Sequence, residues 1–146
     1  MTLRRAAVVL VVAVLAACGG AQGAGPRDAT QETIANAAQR LAGKWTIVRY
    51  DPDTSLEPTV ALLVQSQLGK MVVTIAGDVL TAEGPGLSVT RRIRITSAYG
   101  DHFDAQLVDS YGVAYDTSDE FQGNQLVVGA LGSPWRGKAL LQRIAR

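Results

Sequence analysis

From residue 70 to the end of this chain the hydropathy pattern has a period of two, and short runs of turn-forming residues interrupt it at regular intervals. Met71, Val73 and Ile75 alternate with Val72 and Thr74 up to Ala76-Gly77-Asp78, and segment 79–83 returns to Gly84-Pro85-Gly86. Segments 87–98, 102–108, 113–121 and 125–131 follow, separated by Tyr99-Gly100-Asp101, Asp109-Ser110-Tyr111-Gly112 and Gln122-Gly123-Asn124. After Gly132-Ser133-Pro134 a last segment, beginning at Trp135 or Lys138, runs to Arg143. Period two is the signature of half-buried strands, and glycine-centred reversals between them predict hairpins. With segment 44–51, where Trp45 and Ile47 alternate with Thr46 and Val48, the strands number eight. A meander of this length leaves two exposed edges unless it closes on itself. The expected fold is therefore mainly β, a small eight-stranded antiparallel up-and-down barrel, whose interior is just wide enough for packed side chains or one small ligand.

Two helical signals interrupt this pattern. Asp28, with Gln31 three residues on, predicts an N-cap for a short N-terminal helix with Ile34, Ala38 and Leu41 on one face and Gly43 as its stop. Asp53, Thr54 and Ser55 offer caps for a second helix over 55–69, between strands one and two, with Leu56, Val60, Leu63, Val64 and Leu68 giving an apolar face. Its Leu62 and Leu63 suit either a lid over the barrel mouth or a plug within it.

The N-terminus reads as an export signal. Arg4 and Arg5 precede an unbroken apolar run over 6–15, too short to span a bilayer, which needs about 20 apolar residues, and Gly19, Gly20 and Gln22 end it. Leu15-Ala16-Ala17-Cys18 resembles the lipobox of bacterial lipoproteins, an aliphatic residue and two small ones before a cysteine. The resemblance implies that 1–17 is removed and that Cys18 becomes a lipidated N-terminus, and so a membrane anchor. Gly19 rather than aspartate after the cysteine implies delivery to the outer membrane, within the bacterial cell envelope. The stretch 18–28, with Gly19, Gly20, Gly23 and Gly25 among small and polar residues, has almost nothing to bury and reads as a flexible tether, with a reach of roughly 18 Å for about ten residues, leaving 29–146 as the barrel domain. Cys18 is the only cysteine, so no disulfide staples the exported domain. A net charge of +1 with both signs interspersed gives no basic stripe for nucleic acid.

Leu41-Ala42-Gly43-Lys44-Trp45 resembles the opening of lipocalins, a Gly-x-Trp motif after a short helix, and the unit Val72 to Thr81 is similar to the strand, turn, strand of small bacterial lipocalin-like domains. The likeness covers residues 41–146. It implies that Arg143, on the last strand, stacks over Trp45 and closes the barrel base, and that the barrel takes a small amphiphilic or hydrophobic ligand.

Chemistry beyond binding is not evident in the residues. His102 stands alone as a histidine, on the parity opposite Phe103, Ala105 and Leu107, and predicts no metal centre. No Gly-x-Ser-x-Gly elbow or phosphate-cradling glycine loop is present, and Asp116, Asp119 and Glu120 read as a solvated strand end. Neither an enzyme nor a cofactor is expected. Arg49 shares the inward parity of Trp45 and Ile47, as Arg91 shares that of Val89, Ile93 and Ile95. Two alternatives follow: the arginines hold an anionic head group while Phe103, Leu107, Tyr115 and Val128 surround an apolar tail, or both sit at the rim and reach water. A filled barrel serving as an envelope interaction or assembly module is the competing reading.

Overall fold

The computed structural model describes residues 26–131 and 136–145, and side chains from residue 33 onward. The signal 1–17, Cys18 and most of the tether, together with residues 132–135 and 146, lie outside the described residues. The element order is α1 (Pro26–Leu41), β1 (Gly43–Pro52), α2 (Pro58–Gln67), β2 (Val72–Ala76), β3 (Val79–Gly84), β4 (Leu87–Tyr99), β5 (His102–Val108), β6 (Ala114–Gln122), β7 (Gln125–Val128) and β8 (Gly137–Ala145). All eight strands form one closed barrel in sequence order, each antiparallel to its neighbours, with β1 returning to pair with β8. Closure satisfies both edges of the meander.

The helices differ from expectation in their boundaries. α1 starts at Pro26, before Asp28, so the last residues assigned to the tether belong to it; the first turn of a helix has no partner for the missing proline N–H. Ala37 and Leu41, rather than Ala38, carry its inward face. α2 starts at Pro58 with Glu57 as N-cap and no side-chain cap, so Asp53, Thr54 and Ser55 do not cap it. Only Val64 and Gln67 of α2 are buried, while Val60, Leu62 and Leu63 are exposed.

The two helices cover opposite ends of the barrel. Arg40 of α1 pairs with Asp101 at 2.8 Å and donates to the Gly100 carbonyl, both in the β4–β5 turn. Gln67 of α2 donates from Nε2 to the Pro85 carbonyl, 2.9 Å away, in the β3–β4 turn. Successive turns of an up-and-down barrel lie at alternate ends. At the α1 end the interior is filled: Trp45 and Phe103 are fully buried, and the rings of Phe103 and Phe121 are 5.0 Å apart. Trp45 Nε1 donates to the Leu41 carbonyl at 2.9 Å. The Arg143 guanidinium lies 4.0 Å from the Trp45 ring centre and donates to the carbonyls of Ala42 and Arg40. Arg40 itself lies 4.2 Å over Phe121. Two arginine–aromatic stacks thus seal this base, and the Trp45–Arg143 stack is the one that the likeness to lipocalins implied.

Candidate ligand-binding cavity

Between that floor and α2 the barrel encloses a cavity of about 120 Å³. All its lining side chains are apolar except Tyr50, Gln67, Arg91 and Asp119. Strand alternation explains the apolar wall: Leu87, Val89 and Ile93 share one face of β4, and Leu126 and Val128 one face of β7. Val64 of α2 and Leu68, just past its end, reach in. The volume is comparable to the roughly 150 Å³ cavity that holds benzene, and well short of the several hundred Å³ of a drug-sized pocket. The helix between strands one and two therefore covers a small chamber instead of filling it.

Of the residues expected to contact a ligand, Arg91, Leu107 and Val128 line the cavity. Phe103 does not; it belongs to the packed floor. Tyr115 is half-buried beside the cavity, with its hydroxyl donating to Asp109 Oδ2 at 3.3 Å and the Arg91 guanidinium 5.6 Å from its ring. Arg91 Nη1 also donates to the Leu131 carbonyl at 2.6 Å, which places its charge at the mouth.

Arg49 is outside the barrel. Its side chain is 67% exposed and pairs with Asp51 at 3.0 Å. The cause is a bulge: Ile47 faces Leu141 on β8 and Arg49 faces Leu140, so Val48 is an extra residue in the ladder. One inserted residue reverses the parity of everything beyond it, and Tyr50 takes the inward place. An anion clamped between Arg49 and Arg91 is therefore not what this interior offers.

Beside Arg91, the cavity is lined by two buried residues with acceptor oxygens, Asp119 and Gln67. Asp119, read from the sequence as part of a solvated strand end, is 6% exposed and lines the cavity. Thr117 donates to its Oδ1 at 2.5 Å and the Gly129 N–H donates to the same oxygen at 3.0 Å. The Thr117 hydroxyl in turn accepts the Ala130 N–H at 3.1 Å. These two side chains take the backbone donors that a longer β7 would have used, which is why that strand ends at Val128 and not at 131. Burial pushes the Asp119 carboxyl up to about 6, against the bonds from Thr117 and Gly129 that hold it down, with a further upward push from the Asp104 charge. The other acidic neighbours stay outside: Asp116 is exposed and accepts from Gln106, and Glu120 lies 3.9 Å from His102 on the outer face. No group of acidic, cysteine or histidine residues among the described residues is arranged to hold a metal ion.

Gln67 is the second residue that the sequence did not mark. It is 4% exposed at the end of α2, and its Nε2 latches the helix to Pro85. Gly84 makes room for it, since a Cβ there would overlap Gln67 Oε1. Gly84→Ala is expected to displace the glutamine and loosen the lid, costing about 1 kcal/mol for the lost bond. The readout is faster hydrogen exchange over residues 58–67 with the barrel strands unchanged; equal exchange in both proteins would show that Gln67 is not the latch.

No family model, no curated protein and no solved structure matches the chain.

Proposed function

We propose that this chain is a bacterial envelope lipoprotein, tethered through lipid on Cys18, whose lipocalin-like barrel takes up a small, mainly apolar molecule. The observation that carries the binding part is the chamber of about 120 Å³ beneath α2, walled by apolar side chains and floored by a packed base. The export signal and the Leu15-Ala16-Ala17-Cys18 motif support the anchor. A diacylglyceryl group adds roughly 0.8 kcal/mol of membrane affinity for each buried methylene, enough with two chains for stable attachment. The apolar ligand is then met at a bilayer surface, where such molecules concentrate.

The test has two arms. Labelled palmitate should enter the wild-type protein and not Cys18→Ser, and the variant should wash from membranes. Toluene should raise the free energy of unfolding saturably, by about 1.4 kcal/mol at ten times its dissociation constant. Palmitate entering both proteins alike would remove the anchor, and a stability indifferent to toluene would remove the ligand. In that last case the second reading gains, an assembly module, for which the observation is the exposed apolar face of α2: Leu62 is 68% exposed and Leu63 47%.

A further inference from the structure

Two residues with acceptor oxygens, Gln67 and Asp119, line the cavity, together with the cation Arg91 at its mouth. Gln67 Oε1 is buried and accepts no hydrogen bond among the described residues. The orientation of the amide is fixed by its surroundings: the Pro85 carbonyl 2.9 Å away requires a donor, so Nε2 must face Pro85 and Oε1 must face away from it. Asp119 receives both of its hydrogen bonds on Oδ1, from Thr117 and Gly129, and Oδ2 accepts none among the described residues. Both side chains are more than nine-tenths buried and both line the same chamber. A buried acceptor in an apolar setting is ordinarily satisfied, and a donor is the partner that either of these oxygens would take.

We infer that the molecule held in the barrel is a compact hydrocarbon carrying a hydrogen-bond-donating head group, an amine before an alcohol, received by Asp119 and Gln67. This rests on the reading of the cavity as a ligand site and adds the chemistry of the ligand. An amine comes first because its ammonium form supplies both the hydrogen bond and the countercharge for a carboxylate that makes no ion pair among the described residues. The group opposing this preference is Arg91, which lines the cavity but sits at the mouth on the Leu131 carbonyl and the Tyr115 ring. A carboxylic acid, ionised at neutral pH, would bring a second anion to Asp119 and no donor. The volume sets the size: one ring or a short branched chain, not a long acyl tail.

Calorimetric titration of the purified full chain with benzylamine, benzyl alcohol, toluene and benzoate at pH 7.5 (about one ring volume each) separates these demands. The expected order is benzylamine, benzyl alcohol, toluene, then benzoate, with benzylamine about tenfold or more tighter than toluene, as a charge-assisted hydrogen bond should give. Asp119→Asn should erase the advantage of benzylamine over toluene while leaving toluene itself bound. Gln67→Met, a swap of similar volume at the other acceptor, should lower the affinity for benzyl alcohol severalfold, and a melting curve on each variant verifies that it is folded. Toluene or benzoate binding as well as benzylamine would overturn the head-group inference and leave the cavity reading standing. Benzylamine affinity unchanged in both folded variants would overturn it too. Binding of none of the four would overturn both.

Discussion

Replacing Trp45 with alanine is expected to remove most of the stability of the domain. Trp45 is fully buried, sits at the register position facing Arg143, and donates to the Leu41 carbonyl. Truncation of a large aromatic in a core costs about 3 to 5 kcal/mol, and here it also strips the partner from an arginine stem and leaves a carbonyl of α1 without its donor. Against a total stability of about 5 to 15 kcal/mol for a domain of ordinary size, such a loss brings the chain near its unfolding threshold. Chemical denaturation is the measurement, with a large fall in the midpoint at nearly constant slope. The stack itself is separated from plain burial by a double-mutant cycle of Trp45→Leu and Arg143→Met, in which a coupling of about 0.5 to 2 kcal/mol is expected. Strictly additive losses would mean that Trp45 fills space and that Arg143 acts only through the carbonyls of Ala42 and Arg40.

The base of the barrel was legible because every signal for it is local or periodic. Alternation and glycine turns give strand number and order, and Gly43-Lys44-Trp45 marks the first strand together with its partner on the last. The mouth was not legible, for reasons that differ from residue to residue. Arg49 was misplaced because nothing in Lys44 to Asp51 announces a bulge, and the register of β1 is set by β8, almost the whole chain away. Asp119 was misread because three acids close in sequence resemble a solvated end. Its parity carried the correction, since Tyr115, Thr117, Asp119 and Phe121 share one face of β6 and Phe121 is core. Gln67 carried a signal of the same kind, at helical spacing after Val60 and Val64. It lies one turn beyond Val64 on the inward face of α2, but a glutamine there reads as polar, and its burial is completed by the latch to Pro85 across the mouth. Of the two alternatives for the arginines, Arg49 follows the one that reaches water, and the buried polar residues of the mouth that the arginine parity did not announce are Asp119 and Gln67.

Asp119→Asn is expected to make the protein more stable at neutral pH and to flatten its dependence on pH. The ordinary value for this carboxyl is 3.8 and the folded protein raises it to about 6. Between those two values the folded chain keeps a proton that the unfolded chain has lost, so stability falls as pH rises from about 4 to about 6 and is level above that window. The drop amounts to roughly 3 kcal/mol at 1.36 kcal/mol per unit. Asp104 and Asp109 are shifted the other way by hydrogen bonds, chiefly from Ser118 and from the Val113 N–H, so their contribution is lost only as pH falls below the ordinary carboxylate range. Asparagine keeps an oxygen to accept from Thr117 and Gly129 but has no charge to desolvate, so its unfolding free energy should exceed that of the wild type by about 1 to 3 kcal/mol above pH 6 and match it more closely near pH 4. Parallel stability profiles for the two proteins between pH 4 and 7 would show that the carboxyl does not titrate in that window. The expected divergence carries a functional meaning. If the proposed ligand brings a donor to this carboxylate, its uptake relieves the cost of burying the charge and so stabilises the fold. On this account benzylamine should stabilise the wild type above pH 6 by more than it stabilises Asp119→Asn, because only in the wild type does it replace the missing partner of a buried charge.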